Sequence, residues 1–571
     1  MLVRTPQNPA TNFASKQQSR KEKTMLNITI NNQQIQVPKG TRLMDIINDP
    51  NKEVLTAKVN NRLRELTYAL TFDATVEPLS YLSSDAIKVY ETSLRYLISM
   101  AFRNLYPDLQ LKISYGISRS IFLSLPSPSK FDSKMARALQ EEMQRLVALD
   151  LPIERYAMTK EEAYDYFVSH NYPDKAQVLQ YRPDKICHFH KCGEFINYMY
   201  GYTVPSTGYL KHFKVFTYSN GVIVQYPRHE AGGKIPVFND EPTFARVLKN
   251  SYSWARRCNS HYIFDMNKQL ENDTYVDCIN MNETLHNNML HELGSKIESD
   301  IENIRLICIA GPSSSGKTTF SNRLRIELMS RGITPLRISL DMYYKDRDAI
   351  PLDEFGEKDF EHIDALDVEL FNEHMTALID GEEVELPIYE FGKGRAEKGQ
   401  KIRISKDTPI IIEGIHALND QLSYAIPKHQ KFKIYIAPQF QINIDMHNPI
   451  SFTDIRLLRR IVRDRKYRNS SAERTLEMWP SVRRGEFKWI YPYQEGCNFV
   501  FNSALTYELC VMKKYALPAL REVQSDSPHF ITANRLIKFL KYFSDMDDKW
   551  VPCNSLLREF IGGSCFAEVD E

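Results

Sequence analysis

No run of about 18 consecutive apolar residues occurs in these 571 residues, so the sequence offers no membrane-spanning helix. Excess charge of one sign is also missing: 73 Lys and Arg face 72 Asp and Glu, a formal net charge of +1. No global field therefore draws the chain to nucleic acid or to a lipid surface, and any basic function must be local. Cysteine is sparse, with nine scattered over the chain. That argues against a disulfide framework and for a reducing compartment, the cytoplasm. Internal repeats and low-complexity segments are absent. The remaining composition is that of a globular protein, 43% hydrophobic and 25% charged, in a chain long enough for roughly two to four domains.

Residues 1–24 are polar and basic, with Glu22 their one acid, and lack the apolar stretch of a secretory signal. They read as a disordered basic tail, with a transit peptide as the other reading. Met25 directly precedes the first clear strand and is a candidate start. From there the chain alternates apolar and polar, turns at Asn31-Asn32, alternates again and turns at Pro38-Lys39-Gly40. A helical run follows, giving a small β-grasp pattern. Residues 86–106 carry helical apolar spacing through Ile87, Tyr90, Leu94, Leu97, Ile98 and Ala101, ending at Pro107. Residues 110–230 mix strands and helices, and 236–300 read as a helical connector. From 304 onward short β-branched strands alternate with helices: "RLICIAG", "TPLRISL", "TPIIIEG" and "KFKIYIA". That alternation predicts a buried parallel sheet.

The most informative stretch is Gly311-Pro-Ser-Ser-Ser-Gly316-Lys317-Thr318, a G-x-x-x-x-G-K-[ST] phosphate loop between a strand and a helix. Glycines let backbone N–H groups curl around phosphate oxygens, and the helix start offers unpaired donors. The nucleotide-binding set is Gly311, Ser313, Ser314, Ser315, Gly316, Lys317, Thr318 and Thr319. Lys317 can reach the outer phosphates of ATP, and the Thr318 hydroxyl can ligate Mg²⁺. Asp341 ends the next strand and could accept a proton from an attacking hydroxyl; capping the following segment is its ordinary alternative. Glu413 ends a third strand at the same edge and could hold Mg²⁺ with Thr318. Six arginines between 456 and 468 could form a lid over transferring phosphate, a nucleic-acid patch or a solvated helix face.

Across about 304–510 these motifs resemble the uridine kinase and phosphoribulokinase family of P-loop kinases. "SLDMYYKD" resembles its Asp-x-x-Tyr segment, which implies Asp341 as general base and Tyr344 as a substrate contact. "KDFEHIDALD" puts Glu361 where the family grips the ribose with Asp. "LPIYEFGKGRAEKG" resembles the nucleobase-pocket segment, implying Tyr389 and Phe391. "TDIRLLRRIVRDRKYR" resembles the arginine lid, with Arg460, Arg463 and Arg468 as its working members. The departures are specific. Gly394 stands where uridine–cytidine kinases carry a base-reading His, Glu361 and Glu390 replace Asp, and the lid is longer.

A second resemblance covers the amino-terminal half. "ITINNQQIQVPKGTRLMDI" is similar to the TGS domain that opens threonyl-tRNA synthetases, and the region from 88 to about 220 resembles the editing domain that follows it. Its chemistry is missing: Thr92 and Tyr96 stand at the two motif histidines, and Met199 and Thr203 at the second motif's Cys and His. Hydrolysis needs those groups, so a domain with retained shape and lost activity is expected. "CHFHKC", with Cys187, His188, His190 and Cys192, has zinc-ligand residue types, but strand alternation points neighbours to opposite faces.

The expected fold is multidomain α/β. It comprises a TGS-like β-grasp domain (25–85), an α+β editing-like domain (86–235), the connector (236–300) and a P-loop kinase domain with a doubly wound parallel sheet (301–571). The expected activity is ATP- and Mg²⁺-dependent phosphorylation of the 5′-hydroxyl of a uridine-like nucleoside. The rivals are a kinase of another sugar or small alcohol, and an ATP-binding regulatory protein that meets RNA through its amino-terminal half. A homo-oligomer without membrane association is expected.

Overall fold

The computed structural model describes residues 25–567 apart from Ser127, Pro183 and Phe391. The basic tail and Phe391 thus lie outside the described residues. Among those described, no helix is long and apolar enough to cross a membrane.

The first unit is a five-stranded sheet with Met25–Ile30 running parallel to Ala74–Ser80 at its centre. Leu26, Ile28 and Ile30 are buried on alternate positions, as a half-buried strand requires. Asn31 and Asn32 adopt φ of 50° and 62°, the left-handed pair that a two-residue hairpin turn needs. The helix after Gly40 is shorter than the sequence pattern predicts, Leu43–Ile46. The Asp49 carboxylate accepts the N–H groups of Glu53 and Val54 and draws the chain into a turn instead.

The long helix Ser84–Leu105 follows, then a four-stranded antiparallel sheet and a three-stranded one. The "CHFHKC" strand, Ile186–Cys192, points Cys187 and Cys192 into two different hydrophobic clusters and leaves His188 exposed. His190 Nε2 lies 3.0 Å from Glu65 Oε1. These four side chains therefore do not converge.

The carboxyl-terminal half is built on five parallel strands, in the order Leu336–Ser339, Ile410–Glu413, Leu306–Ala310, Lys431–Ala437 and Phe499–Asn502. Leu306, Cys308 and Ala310 face one core, while Ile307 and Ile309 face the other. Burial on both faces explains the unbroken apolar run. Leu306–Ala310 has neighbours on both sides, so the loop that leaves it opens into the crevice where such sheets bind ligands.

The segment 236–300 forms helices Pro242–Arg257, Ile263–Glu271 and Tyr275–Glu298. The last does more than connect. Its Leu290, Leu293 and Ile297 share a core with the phosphate-loop strand. The two halves are also fused: one cluster joins Phe167, Phe189 and Tyr198 to Ile442, Ile444, Tyr507 and Phe543. A hairpin from the carboxyl-terminal half, Asn443–Asp445 with Asn448–Pro449, enters the amino-terminal half. There Ile113 N–H donates to Met446 O at 2.7 Å, Arg95 donates to His447 O at 3.3 Å, and Asn448 donates to Tyr198 O at 3.1 Å.

Candidate active site

Gly311 leaves the central strand where a Cβ would sit 2.0 Å from Ile436 O, so only glycine fits. Gly316 takes φ of +93° and starts the helix Lys317–Met329. Between them Ser314 also adopts a left-handed φ of 59°. The loop thus curls as a phosphate cradle does. Ser314, Ser315 and Thr319 carry buried hydroxyl oxygens with no hydrogen-bond partner among the described residues. Lys317 Nζ folds back to donate to Gly311 O at 3.0 Å. Burial lowers its pKa, with Glu413 first among the anions that oppose the shift.

Thr318 Oγ1 lies 3.5 Å from Glu413 Oε1 at the end of the neighbouring strand. Glu413 is buried, and desolvation raises its carboxyl to about 7 while Lys317 pulls the other way. Asp341 follows the strand Leu336–Ser339, and Ser339 Oγ accepts its N–H at 3.3 Å. Solvent reaches the Asp341 side chain, yet protein crowds around it. That desolvation raises its pKa against the pull of Lys317, Arg468 and Arg463. The loop, Asp341 and Glu413 therefore share the carboxyl edge of the sheet.

The arginines divide by role. The helix Phe452–Tyr467 packs across the loop. Arg456 and Arg459 are buried in ion pairs with Glu486 and Glu508, and they also donate to the loop carbonyls of Ser313 and Ser314. Arg465 pairs with Glu522 on the outside. Arg460, Arg463 and Arg468 instead gather on one carboxylate, Asp464, at 3.2, 2.8 and 3.7 Å. Arg460 reaches the loop too, donating to Ser313 Oγ at 2.7 Å. The sequence reading missed Asp464. An acid four residues after Arg460 looks like an ordinary surface pair on a helix, and only its burial marks it as an organiser.

Glu361 lies within reach of the Arg460 and Lys317 charges, and burial raises its carboxyl to about 7 against their pull. A Cβ on Gly485 would sit 2.5 Å from Glu361 Cβ, so that glycine makes its room. The Tyr344 and Tyr389 rings lie 5.6 Å apart, and Tyr344 Oη donates to Phe360 O. His416, buried against the Glu361 backbone, and the half-buried Trp489, rings 5.5 Å apart, were not picked from the sequence. Gly394 closes the turn between Val384–Glu390 and Arg395–Ile402 at φ +68°, with a Cβ 3.0 Å from Arg347 Cβ. Backbone shape, not merely a lost histidine, sets that position.

In the amino-terminal half the four substituted positions are occupied structurally. Thr92 Oγ1 donates to Lys88 O and Tyr96 Oη to Phe195 O. Met199 receives the Asn197 amide, and Thr203 N–H donates to Glu65. None is a His or Cys, and among the described residues no group of three or more His, Cys, Asp or Glu is placed to hold a metal ion.

Comparison with known proteins agrees with both halves. Residues 306–509 match the model of the Phosphoribulokinase / Uridine kinase family, so the carboxyl-terminal half carries a domain of that family. The amino-terminal region is similar to threonine–tRNA ligases. That of Clostridium kluyveri is 27% identical over 199 residues, 34% of this chain and 31% of the ligase. That of Thermoplasma acidophilum is 25% identical over 246 residues, 42% of this chain and 36% of the ligase. The chain thus spans about a third of the length of these curated relatives. Solved structures also match, two of them as follows. One, described as a possible uridine kinase from Bacillus stearothermophilus, has a TM-score of 0.23 and 21% identity, covering 26% of this chain and 79% of its own. The other, D-glycerate 3-kinase from Cryptococcus neoformans, has a TM-score of 0.21 and 13% identity, covering 44% and 87%.

Proposed function

We propose that this phosphoribulokinase/uridine-kinase-family domain transfers the γ-phosphoryl group of ATP to the 5′-hydroxyl of a uridine-like nucleoside. The observation that carries the reading is the meeting of Lys317, Asp341, Glu361 and the Asp464-bound arginines around one loop at the sheet edge. The residues fit the groups required. The cradle without a Cβ at Gly311 and the unpartnered hydroxyls suit phosphate oxygens. Thr318 and Glu413 offer the hard oxygen donors that Mg²⁺ takes.

When bound, Mg²⁺ would neutralise phosphate charge, and the rest of the work falls to side chains. Lys317 and the loop amides hold the phosphates. Asp341 receives the proton of the acceptor hydroxyl, a role its raised pKa favours. Glu361, Tyr344 and Tyr389 hold the acceptor. Arg460, Arg463 and Arg468 cover the transferring charge and exclude water. Most of the catalysis is therefore positioning and charge stabilisation.

A different sugar or small alcohol as acceptor is the second reading, and the Gly394 turn favours it. A site without a base-reading side chain there discriminates bases less. The test is a coupled phosphotransfer assay over ribonucleosides, deoxyribonucleosides, free sugars and small alcohols, with Lys317→Ala as control. Lys317-dependent turnover on a pyrimidine nucleoside is expected. Turnover on sugars alone would replace the first reading by the second. ATP hydrolysis that answers only to RNA would remove both.

A further inference from the structure

The carboxyl-terminal stretch 552–566 lies across the phosphate loop. Glu559 Oε2 accepts the backbone N–H of Thr319 at 3.0 Å, across 240 residues of sequence. Thr319 is the third residue of the loop helix, where unpaired N–H groups face an anion. The Glu559 side chain is mostly buried, and its charge bears directly on Lys317 and Glu413. Beside it, the Leu556 side chain sits 3.3 Å from the place of a Gly316 Cβ. Lys317 meanwhile folds back onto Gly311 O, so its charge points into the loop.

The stretch is held from both ends. Ser555 Oγ donates to Glu283 at 2.6 Å, and Arg558 donates to Asp548 O at 2.7 Å. Lys466, near the end of the arginine helix, donates to Ile561 O at 2.9 Å. The chain then turns away at Gly562 and Gly563, whose φ of +88° and +73° suit glycine.

We infer that Glu559 belongs to the nucleotide site, where its carboxylate holds a phosphate position and must be displaced, with the strap that carries it, when ATP binds. One N–H cannot serve a carboxylate and a phosphate oxygen together, and two anions at one helix start repel. The inference rests on the reading of the loop as an ATP site and adds what competes there. It ties nucleotide entry to the arginine helix, because Lys466 joins that helix to the strap.

Calorimetric titration of full-length wild type, Glu559→Gln and Glu559→Ala with ADP tests this, alongside hydrogen exchange of 552–566. Removing the charge should tighten ADP binding by about tenfold, the scale of one charge-assisted hydrogen bond. Saturating ADP should speed exchange in the wild-type strap. Unchanged or weaker ADP affinity in both variants, with exchange slowed by ADP, would make Glu559 an ordinary helix cap and overturn the inference. No ADP binding by any of the three proteins would instead sink the ATP reading itself. Exchange in the wild-type chain decides the matter even if a variant fails to fold.

Discussion

The Lys175 ammonium and the Asp445 carboxylate meet at 2.9 Å with side chains 1% and 0% exposed, and the pair joins the amino-terminal half to the hairpin of the carboxyl-terminal half. Asn448 Nδ2 and the His447 N–H also donate to Asp445. The neighbouring Asp174 accepts Met446 N–H at 2.8 Å. The Lys175–Asp445 ion pair is thus made only where the two halves join, and Asp174 Oδ1 beside it has no hydrogen-bond partner among the described residues.

Breaking that network should unfold both halves together. Lys175→Met leaves a buried carboxylate without its cation, which typically costs about 3–5 kcal/mol. Urea denaturation should show a single transition moved to lower urea, followed equally by probes in either half. Two separated transitions in the wild type would show that the shared core does not couple them.

Lys317→Ala and Asp341→Asn should separate binding from chemistry. Lys317→Ala is expected to abolish phosphotransfer with little change in melting temperature, because its contacts stay within its own loop. Asp341→Asn should lower kcat about 10²–10⁴-fold and leave ATP affinity nearly intact, as loss of a general base does. Equal losses of kcat and ATP affinity in Asp341→Asn would make that residue structural.

Much of this site was legible because its parts are local. The phosphate loop and the strand ends at Asp341 and Glu413 follow from spacing within single segments, whereas Tyr344 and Tyr389 were named through the family resemblance alone. What stayed hidden depends on distant residues. The approach of Glu559 to Thr319 and of Lys175 to Asp445 spans hundreds of positions. Six arginines at helical spacing look alike until their partners are known. Burial in ion pairs with Glu486 and Glu508 then sets Arg456 and Arg459 apart from the three on Asp464. Gly394 read as a missing histidine, whereas its φ makes it a turn. The helical segment 236–300 read as a connector because polarity hid the apolar face that Leu290, Leu293 and Ile297 bury.

Glu361 should make both stability and acceptor binding depend on pH. Burial raises its carboxyl from the ordinary 4.5 to about 7. Between those values the folded chain keeps a proton that the unfolded chain has released. Stability from this group is therefore greatest at low pH and falls as pH rises across that window. Glu413 adds the same sign. Melting temperatures from pH 4.5 to 7.5 should fall more steeply in wild type than in Glu361→Gln. Acceptor KM should fall several-fold from pH 6 to 8, since the ionised carboxylate accepts hydroxyl hydrogen bonds better. A KM profile unchanged by Glu361→Gln would remove Glu361 from the acceptor site.

Asp464 should govern the lid more than the nucleotide pocket. Its side chain is 1% exposed and accepts two hydrogen bonds from Arg463 while Arg460 and Arg468 close on it. These cations hold its carboxyl below the usual range despite burial. Asp464→Asn removes the charge that fixes three like-charged groups side by side, so they should repel and spread. Arg460 keeps its bond to Ser313, so the loop itself should survive. The expected result is an about 10–100-fold loss of kcat, the size of losing one oriented charge contact at the transferring group, with ADP affinity changed less than threefold. Background ATP hydrolysis should rise relative to transfer, because a loosened lid admits water. Loss of ADP binding in step with kcat would instead place Asp464 in the framework of the phosphate loop.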